Sequence, residues 1–370
     1  MGALGQISFF VALILVIVIH EAAHFGVARL FGIKVTEFFV GFGPKIWSTK
    51  RGETEVGFKW IPAGGYVKIA GMSPYEEIAP EDLPRTYGAK PRWQRALVIV
   101  AGPATHFVLA FLCFAIWLAV VGQPTDRSPE IVGIAERLRG VESPAKAAGL
   151  QPGDRIVAIG NIEDPSGDEL VAYTRAHIGE EIPVTVERVD RTLTVRLAPV
   201  PATVDGQEVG RIGVILGDGR RVTEGPIGAI LGGGAEVGDG VVRTVEGIGR
   251  IFGPSGISRV VELVFTDAPR RANDATSVVG VGAVAGAIAS EGNFWDILYL
   301  FGLVNVFVGF LNLLPLPPFD GGHLAVLLIE KIRGRAIDMR KVIPISALVA
   351  AFFIVFTVAV VYVDLVKPPI

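Results

Sequence analysis

The residues best suited to chemistry are His20, Glu21 and His24, which form the motif HEAAH inside an otherwise apolar stretch, residues 7–33. On a helix, the two histidines lie one turn apart on the same face, so both imidazoles can bind one Zn²⁺ ion. Glu21 lies beside them, placed to act on a water molecule at the metal. The thirteen residues before His20 are uncharged and mostly aliphatic or aromatic. This spacing therefore predicts a zinc site at membrane depth.

A further acidic residue, Asp320, follows a second apolar segment in the run FLNLLPLPPFDGGHL. An aspartate at membrane depth is unfavourable unless it binds a partner, and a metal ion is such a partner. Two imidazoles and one carboxylate leave the fourth zinc position open for water, as catalytic zinc sites require. We therefore expect His20, His24 and Asp320 to be the three zinc ligands. The nearby His323 is left out because the set is complete without it.

Hydrophobic residues make up 51% of the chain and are concentrated in long segments. Uncharged stretches cover residues 96–121, 297–316 and 342–363, each near the roughly 20 residues that cross a bilayer core of about 30 Å. With the stretch around HEAAH, they predict four membrane spans. The single cysteine, Cys113, excludes a cysteine cluster as the zinc site. The net charge of -3, without a concentrated basic face, argues against a nucleic-acid partner.

The Lys and Arg residues predict how the spans are oriented. They are abundant between the first and second spans, and again in the short segment before the fourth. Such segments face the cytoplasm, so we expect both termini and the long segment between the second and third spans to be extracytoplasmic. The N-terminus lacks the basic region and cleavage site of a secretory signal, so the first span is expected to stay in the chain.

Two regions between the spans have β-prone patterns. Residues 40–72 alternate short β-prone runs with Gly and Pro, and the RGETE tip predicts a hairpin. Hairpin backbone in lipid is tolerable only against protein or around an aqueous cavity, and a cytosolic hairpin without substrate contact is the alternative. Residues 124–200 have the composition of a soluble α/β domain and resemble a PDZ domain of bacterial proteases. Such a domain binds an extended peptide or C-terminus, here near Ile131–Ile134, or else only blocks access to the membrane site.

Together, HEAAHFGVARLFGIKVTEFFVGFGP, the PDZ-like segment and the FDG run resemble the site-2 protease family of intramembrane zinc metalloproteases, in particular the bacterial regulator-of-sigma-E-protease type with a single PDZ domain. The resemblance implies a membrane re-entrant β-sheet that holds unwound substrate by strand addition. It also suggests Asn312, Gly64 and Gly65 as substrate-binding residues.

The chain departs from the family pattern at three places. His106 stands where the family tends to have Asn, in the sequence GPATH of the second span. It is either a polar neighbour of the active site or a neutral histidine hydrogen-bonded to another helix. Phe307 stands where the family often has Asn, with Asn305 two places away, and the family's usual LDG is FDG here.

These observations predict a polytopic α-helical protein of the bacterial plasma (inner) membrane, with one zinc ion and Glu21 as general base. The lipid bilayer would be one partner, and the resemblance implies that the substrates are single-span membrane proteins, such as anti-sigma factors or remnant signal peptides. The alternatives are an inactive membrane PDZ scaffold and an ion-coupled transporter. We expect four regions: two spans with the hairpin (1–123), an inserted extracytoplasmic PDZ domain (124–200), an extracytoplasmic linker with amphipathic helices (201–293) and two further spans (294–370).

Overall fold

A computed structural model describes residues 2–138, 140–189, 191–204, 207–271 and 273–369. In these ranges the helices are α1 (Gly2–Leu30), α2 (Arg92–Val120), α3 (Pro144–Ala147), α4 (Gly167–Ala176), α5 (Pro226–Phe252), α6 (Pro254–Phe265), α7 (Val278–Ser290), α8 (Asp296–Leu313), α9 (Asp320–Arg333) and α10 (Ile343–Val366). The strands are β1 (Val35–Arg51), β2 (Thr54–Ile69), β3 (Gln123–Pro124), β4 (Ile131–Ile134), β5 (Arg137–Leu138), β6 (Val141–Glu142), β7 (Arg155–Ile159), β8 (Ile162–Glu163), β9 (Ile182–Arg188), β10 (Arg191–Leu197), β11 (Val200–Val204), β12 (Gln207–Arg211), β13 (Val214–Leu216) and β14 (Arg221–Val222).

Four helical segments of the described chain are long and apolar enough to cross a membrane, which agrees with the four predicted spans. They are α1, α2, α8 and Met339–Val366, a segment that includes α10. The helix α8 ends at Leu313, short of the predicted end at residue 316. Leu314 precedes Pro315, which disfavours the helical conformation of Leu314, and its ψ of 136° is extended.

The hairpin of β1 and β2 is a curled sheet in which one segment has partners on both sides. Residues 35–40 pair with residues 65–69, and residues 37–40 also pair with residues 55–58. Residues 45–51 pair with residues 54–59. Among the described residues, the 65–69 part of β2 therefore has a strand partner on one side only. The structure confirms that the hairpin forms. The segment around residues 37–40 lies in the middle of its sheet, with a strand partner on each side.

Residues 118–225 form a second compact unit with its own core. Its largest sheet has the order β10-β9-β7-β8, and Ile156, Ile159, Val184 and Leu170 are fully buried between this sheet and α4. The predicted boundary at residue 200 falls inside this unit. β13 pairs with β4, so that Ile215 lies opposite Gly133. The stretch before α5 is therefore part of a folded unit rather than the predicted linker.

Residues 226–290 contain helices, as their apolar spacing predicts. The helices α5 and α6 are amphipathic, whereas α7 is apolar on all sides and packs closely against α1. A Cβ atom on Gly5 would lie 2.5 Å from Ala289 Cβ, which shows how near the two helices approach. The start of α7 is joined to the end of α10 by the buried Asp364, which accepts hydrogen bonds from Ser277 and pairs with Arg270.

Candidate metal centre

The three predicted zinc ligands come together in the structure. His20 and His24 are buried on one face of α1, and Asp320 opens α9 after the non-helical segment that follows α8. Oδ2 of Asp320 lies 3.3 Å from Nε2 of His20 and 3.4 Å from Nε2 of His24. The two Nε2 atoms are 3.1 Å apart. Three ligand atoms therefore converge on one point, although Asp320 follows the histidines by about 300 residues.

This arrangement fits zinc in both spacing and chemistry. A tetrahedral zinc ion with bonds of about 2.0–2.1 Å holds its ligand atoms about 3.3 Å apart. The observed separations of 3.1, 3.3 and 3.4 Å match that value. Two imidazole nitrogens and one carboxylate oxygen leave a fourth position for water or substrate. Neither His106 nor His323 belongs to this set of converging ligand atoms in the described chain.

Gly102 on α2 provides the space in which the two imidazoles sit. A Cβ atom at this position would lie 2.2 Å from Nε2 of His24 and 2.6 Å from Nε2 of His20. Any side chain here would therefore displace the proposed ligands. In the sequence, Gly102 is notable only because it precedes Pro103 inside an apolar span, whereas the structure shows that the two imidazoles approach α2 closely at this glycine.

Glu21 lies beside the ligands and faces the hairpin. Its side chain is half-buried, and a Cβ atom on Gly65 would lie 3.1 Å from Glu21 Cγ. The same atom would lie 3.4 Å from Ile17 Cγ2, one helical turn earlier. The part of β2 that has a strand partner on one side only, residues 65–69, therefore begins alongside the face of α1 that carries Glu21.

Each buried imidazole has a hydrogen-bond partner on its second nitrogen. His24 Nδ1 lies 2.7 Å from the backbone oxygen of Val98, and His20 Nδ1 lies 3.0 Å from His106 Nε2. His106 Nδ1 in turn lies 3.1 Å from Oδ1 of Asn305. His106 is thus both a polar neighbour of the site and hydrogen-bonded to a neighbouring helix. Sequence reasoning gave Asn305 no role. Its signals were its polarity inside an apolar span and its position two places from the Asn that the family often has.

The residues expected to bind substrate lie on two elements. Gly64 and Gly65 belong to β2, and Gly64 has a φ of 150°, a conformation that glycine adopts readily. Asn312 lies in the last turn of α8 and is half-buried. No hydrogen bond joins its side-chain amide to another residue in the described part of the chain. The amide is therefore available to a ligand.

The far end of α9 is also fixed to the helix that carries Gly102. Glu330 is 5% exposed and pairs with Arg95 of α2 at 3.1 Å. Its other carboxylate oxygen accepts a hydrogen bond from the backbone N–H of Ile337. The helix that begins with Asp320 is therefore positioned by contacts besides those of the metal centre.

Comparison with known proteins places the chain in a family. Residues 8–357 match the model of peptidase family M50, a range that includes the histidines and Asp320. Zinc metalloprotease Rip1 of Mycobacterium tuberculosis is 32% identical over 400 aligned positions, which cover 98% of each chain. Zinc metalloprotease Rip1 of Mycolicibacterium smegmatis is 34% identical over 404 positions, covering 100% of this chain and 98% of the relative. A putative zinc metalloprotease of Agrobacterium fabrum is 30% identical over 349 positions, covering 89% and 87%.

Proposed function

The chain belongs to peptidase family M50, the site-2 protease family, and is a zinc metalloprotease, and from this premise we propose that it cleaves peptide bonds within or next to the transmembrane helix of single-span proteins. The observation that carries the proposal is the position of the ligands. His20 lies ten residues before the end of α1, about 15 Å along the helix axis, and the preceding residues are apolar. A substrate bond must therefore reach a site between membrane-spanning helices.

We propose that His20, His24 and Asp320 hold the zinc ion and that Glu21 is the general base. When bound, zinc polarises a carbonyl group and lowers the pKa of water towards about 7. Glu21 takes a proton from the attacking water and returns it to the leaving amine. The new C–O bond forms first, as Glu21 takes the proton from water, and the scissile C–N bond breaks afterwards, as Glu21 gives that proton to the leaving amine.

The edge of β2 provides a place for unwound substrate. In a helix, the backbone carbonyls are occupied by hydrogen bonds to residue i+4, so the substrate must unwind before cleavage. We infer that the unwound segment adds as a strand beside Gly64 and Gly65, next to Glu21, and that the Asn312 amide donates to a substrate carbonyl. β2 reaches Ile17, about 20 Å along α1 from Leu30, which supports a hairpin that enters the membrane.

The proposed function predicts cleavage inside an apolar segment. The purified chain in liposomes should cut a single-span substrate that carries a helix-breaking residue in its span, because that residue promotes the required unwinding. Removal of zinc by a chelator should abolish the cut, and added zinc should restore it. Mass spectrometry of the products locates the bond. Cleavage confined to soluble flanking residues would contradict the proposal, and full zinc occupancy without any turnover would favour an inactive scaffold.

Two variants separate substrate binding from metal binding in the same assay. Gly65→Val places a bulky side chain between β2 and Glu21, and Asn312→Leu removes the available amide while keeping a similar volume. Both should retain zinc but cleave more slowly, and Asn312→Leu should act mainly through weaker substrate binding. Unchanged cleavage by both variants would exclude strand addition at this edge.

We propose that the unit formed by residues 118–225 is a PDZ domain that binds an extended peptide or C-terminus. A cleft with a volume of about 460 Å³ lies between α4 and β13. Its walls include Val171 and Thr174 on one side and Val214 and Leu216 on the other. The predicted peptide strand, Ile131–Ile134, is instead paired with β13. The proposed binding strand is therefore β13, all of whose residues line the cleft.

This proposal predicts that a charge in the cleft abolishes peptide binding. Val171 is 39% exposed on the cleft wall, so Val171→Lys should weaken binding of an apolar C-terminal peptide more than 10-fold without unfolding the unit. Leu193→Lys is a matched control, because Leu193 is 38% exposed and lies outside the cleft. Fluorescence titration with labelled peptides measures both. Equal affinities for the two variants would rule out this cleft.

We propose that both termini and the 118–225 unit are extracytoplasmic in the bacterial plasma membrane, as the Lys and Arg distribution indicates. The only native cysteine is buried, so introduced cysteines give a clean test. Val189→Cys, at a position 90% exposed in this unit, should react with an impermeant maleimide in intact cells. Tyr75→Cys, 71% exposed between the first two spans, should react only after lysis. The reverse labelling would invert the topology.

A further inference from the structure

The imidazoles of His20 and His24 differ in the hydrogen-bond partner of their Nδ1 atoms. His24 Nδ1 faces the backbone oxygen of Val98 at 2.7 Å. A carbonyl oxygen only accepts hydrogen bonds, so His24 carries its proton on Nδ1 and its Nε2 lone pair is free for a metal. His20 Nδ1 instead faces another imidazole, that of His106. An imidazole nitrogen can donate or accept, so the tautomer of His20 depends on the next group behind His106.

That next group is Asn305, whose amide orientation is itself fixed. Its Nδ2 donates to the backbone oxygen of Phe301 at 2.8 Å, so its Oδ1 is turned towards His106 Nδ1. An amide oxygen only accepts, and the His106 proton must therefore be on Nδ1. The Nε2 atom of neutral His106 is then an acceptor, which requires His20 to donate from Nδ1.

We propose that His106 and Asn305 are positioning residues that fix the tautomer and ring orientation of His20, so that its Nε2 lone pair points towards the metal. This inference rests on the proposed zinc ligation by His20. His106 and Asn305 are 2% and 1% exposed, so water does not replace a lost partner. Two side chains from α2 and α8 thus do for His20 what one backbone carbonyl does for His24.

The same contacts relate two of the sequence departures to each other. His106 replaces the expected Asn, and Asn305 stands two places from the expected position of another Asn. In the structure these two residues are hydrogen-bonded partners. Gly309 on α8 also lies against His106, since a Cβ atom there would lie 2.8 Å from His106 Cβ. The close approach of α8 to α2 at this point therefore depends on a glycine.

Zinc affinity of the full chain in detergent, measured by competition with a chelator, tests this inference. His106→Leu should weaken binding by roughly 10–100-fold, the usual effect of losing such a partner. His106→Gln should retain most of the affinity, because its amide can accept from His20 and donate to Asn305. Asn305→Leu should likewise weaken binding, whereas Asn305→Asp keeps an acceptor towards His106 and should bind zinc more tightly than Asn305→Leu.

Two reference variants make each outcome decisive. Ser277→Ala removes a buried hydrogen bond far from the centre in sequence and should lower the unfolding temperature without changing zinc affinity. His20→Ala should lose zinc, and retention there would overturn both the ligand set and this inference. Loss in His20→Ala with normal affinity in His106→Leu and Asn305→Leu would overturn the positioning role alone. Equal losses in the Gln and Leu variants at position 106 would also overturn it.

Discussion

Glu21→Gln should lower the cleavage rate by about 10²–10⁴-fold, because glutamine keeps the shape of the side chain but cannot take a proton from water. Zinc content should remain unchanged, since Glu21 is outside the group of converging ligand atoms. The contact with Gly65 should also persist, because the two side chains share the same Cγ position. Single-turnover cleavage of a model span and metal analysis of the same sample measure the two quantities.

His24→Ala is the control for this experiment. It removes an imidazole whose Nε2 lies 3.4 Å from Asp320 Oδ2, and it should lose both zinc and activity. If Glu21→Gln also lost its zinc, Glu21 would be a ligand rather than the base. If it cleaved at the normal rate, another group would have to accept the proton.

Asp320→Asn should greatly reduce zinc affinity and activity, because it removes the only anionic ligand of a site buried among apolar helices. We expect a loss greater than about 100-fold, the upper range for a residue that merely supports a ligand. Asp320→Glu moves the carboxylate by one methylene and should retain part of both properties. Zinc content in detergent and the chelator competition assay measure these changes.

The matched control is His323→Ala, three residues further along α9. His323 is the alternative third ligand that the sequence offers, yet it lies outside the converging set in the described structure. His323→Ala should therefore bind zinc normally. Normal zinc binding by Asp320→Asn together with loss of zinc in His323→Ala would contradict this assignment. Asp320 would then only satisfy backbone groups of the non-helical segment before α9, and His323 would be the third ligand.

The predictable parts of this site depend on local rules. Helical periodicity places His20 and His24 on one face, and the unfavourable burial of a lone charge selects Asp320, so both were predictable without coordinates. The pairing of His106 with Asn305 joins residues 199 positions apart. It depends on how α2 packs against α8, which spacing within either segment does not encode.

The boundary of the second unit was mispredicted for a similar reason. The strand pattern up to residue 200 indicates a complete domain, but β13 completes it through non-local pairing with β4. The hairpin was predicted from its Gly and Pro breaks. The pairing of its first strand with two other segments was not predicted, because the sequence of residues 35–40 is equally consistent with a continuation of the first-helix motif. In both cases the sequence predicted that strands form but did not predict which strands pair with each other.

The separation of the ligands along the chain has a consequence for biosynthesis. His20 and His24 enter the membrane early in translation, whereas Asp320 is made about 300 residues later. At roughly 5–20 residues per second, this interval lasts about 15–60 s. During that time the nascent chain has two of the proposed ligands and lacks the third. If Asp320 is the third zinc ligand, as proposed, the zinc site is incomplete until residue 320 has been made, and the protease would be latent during most of its own synthesis.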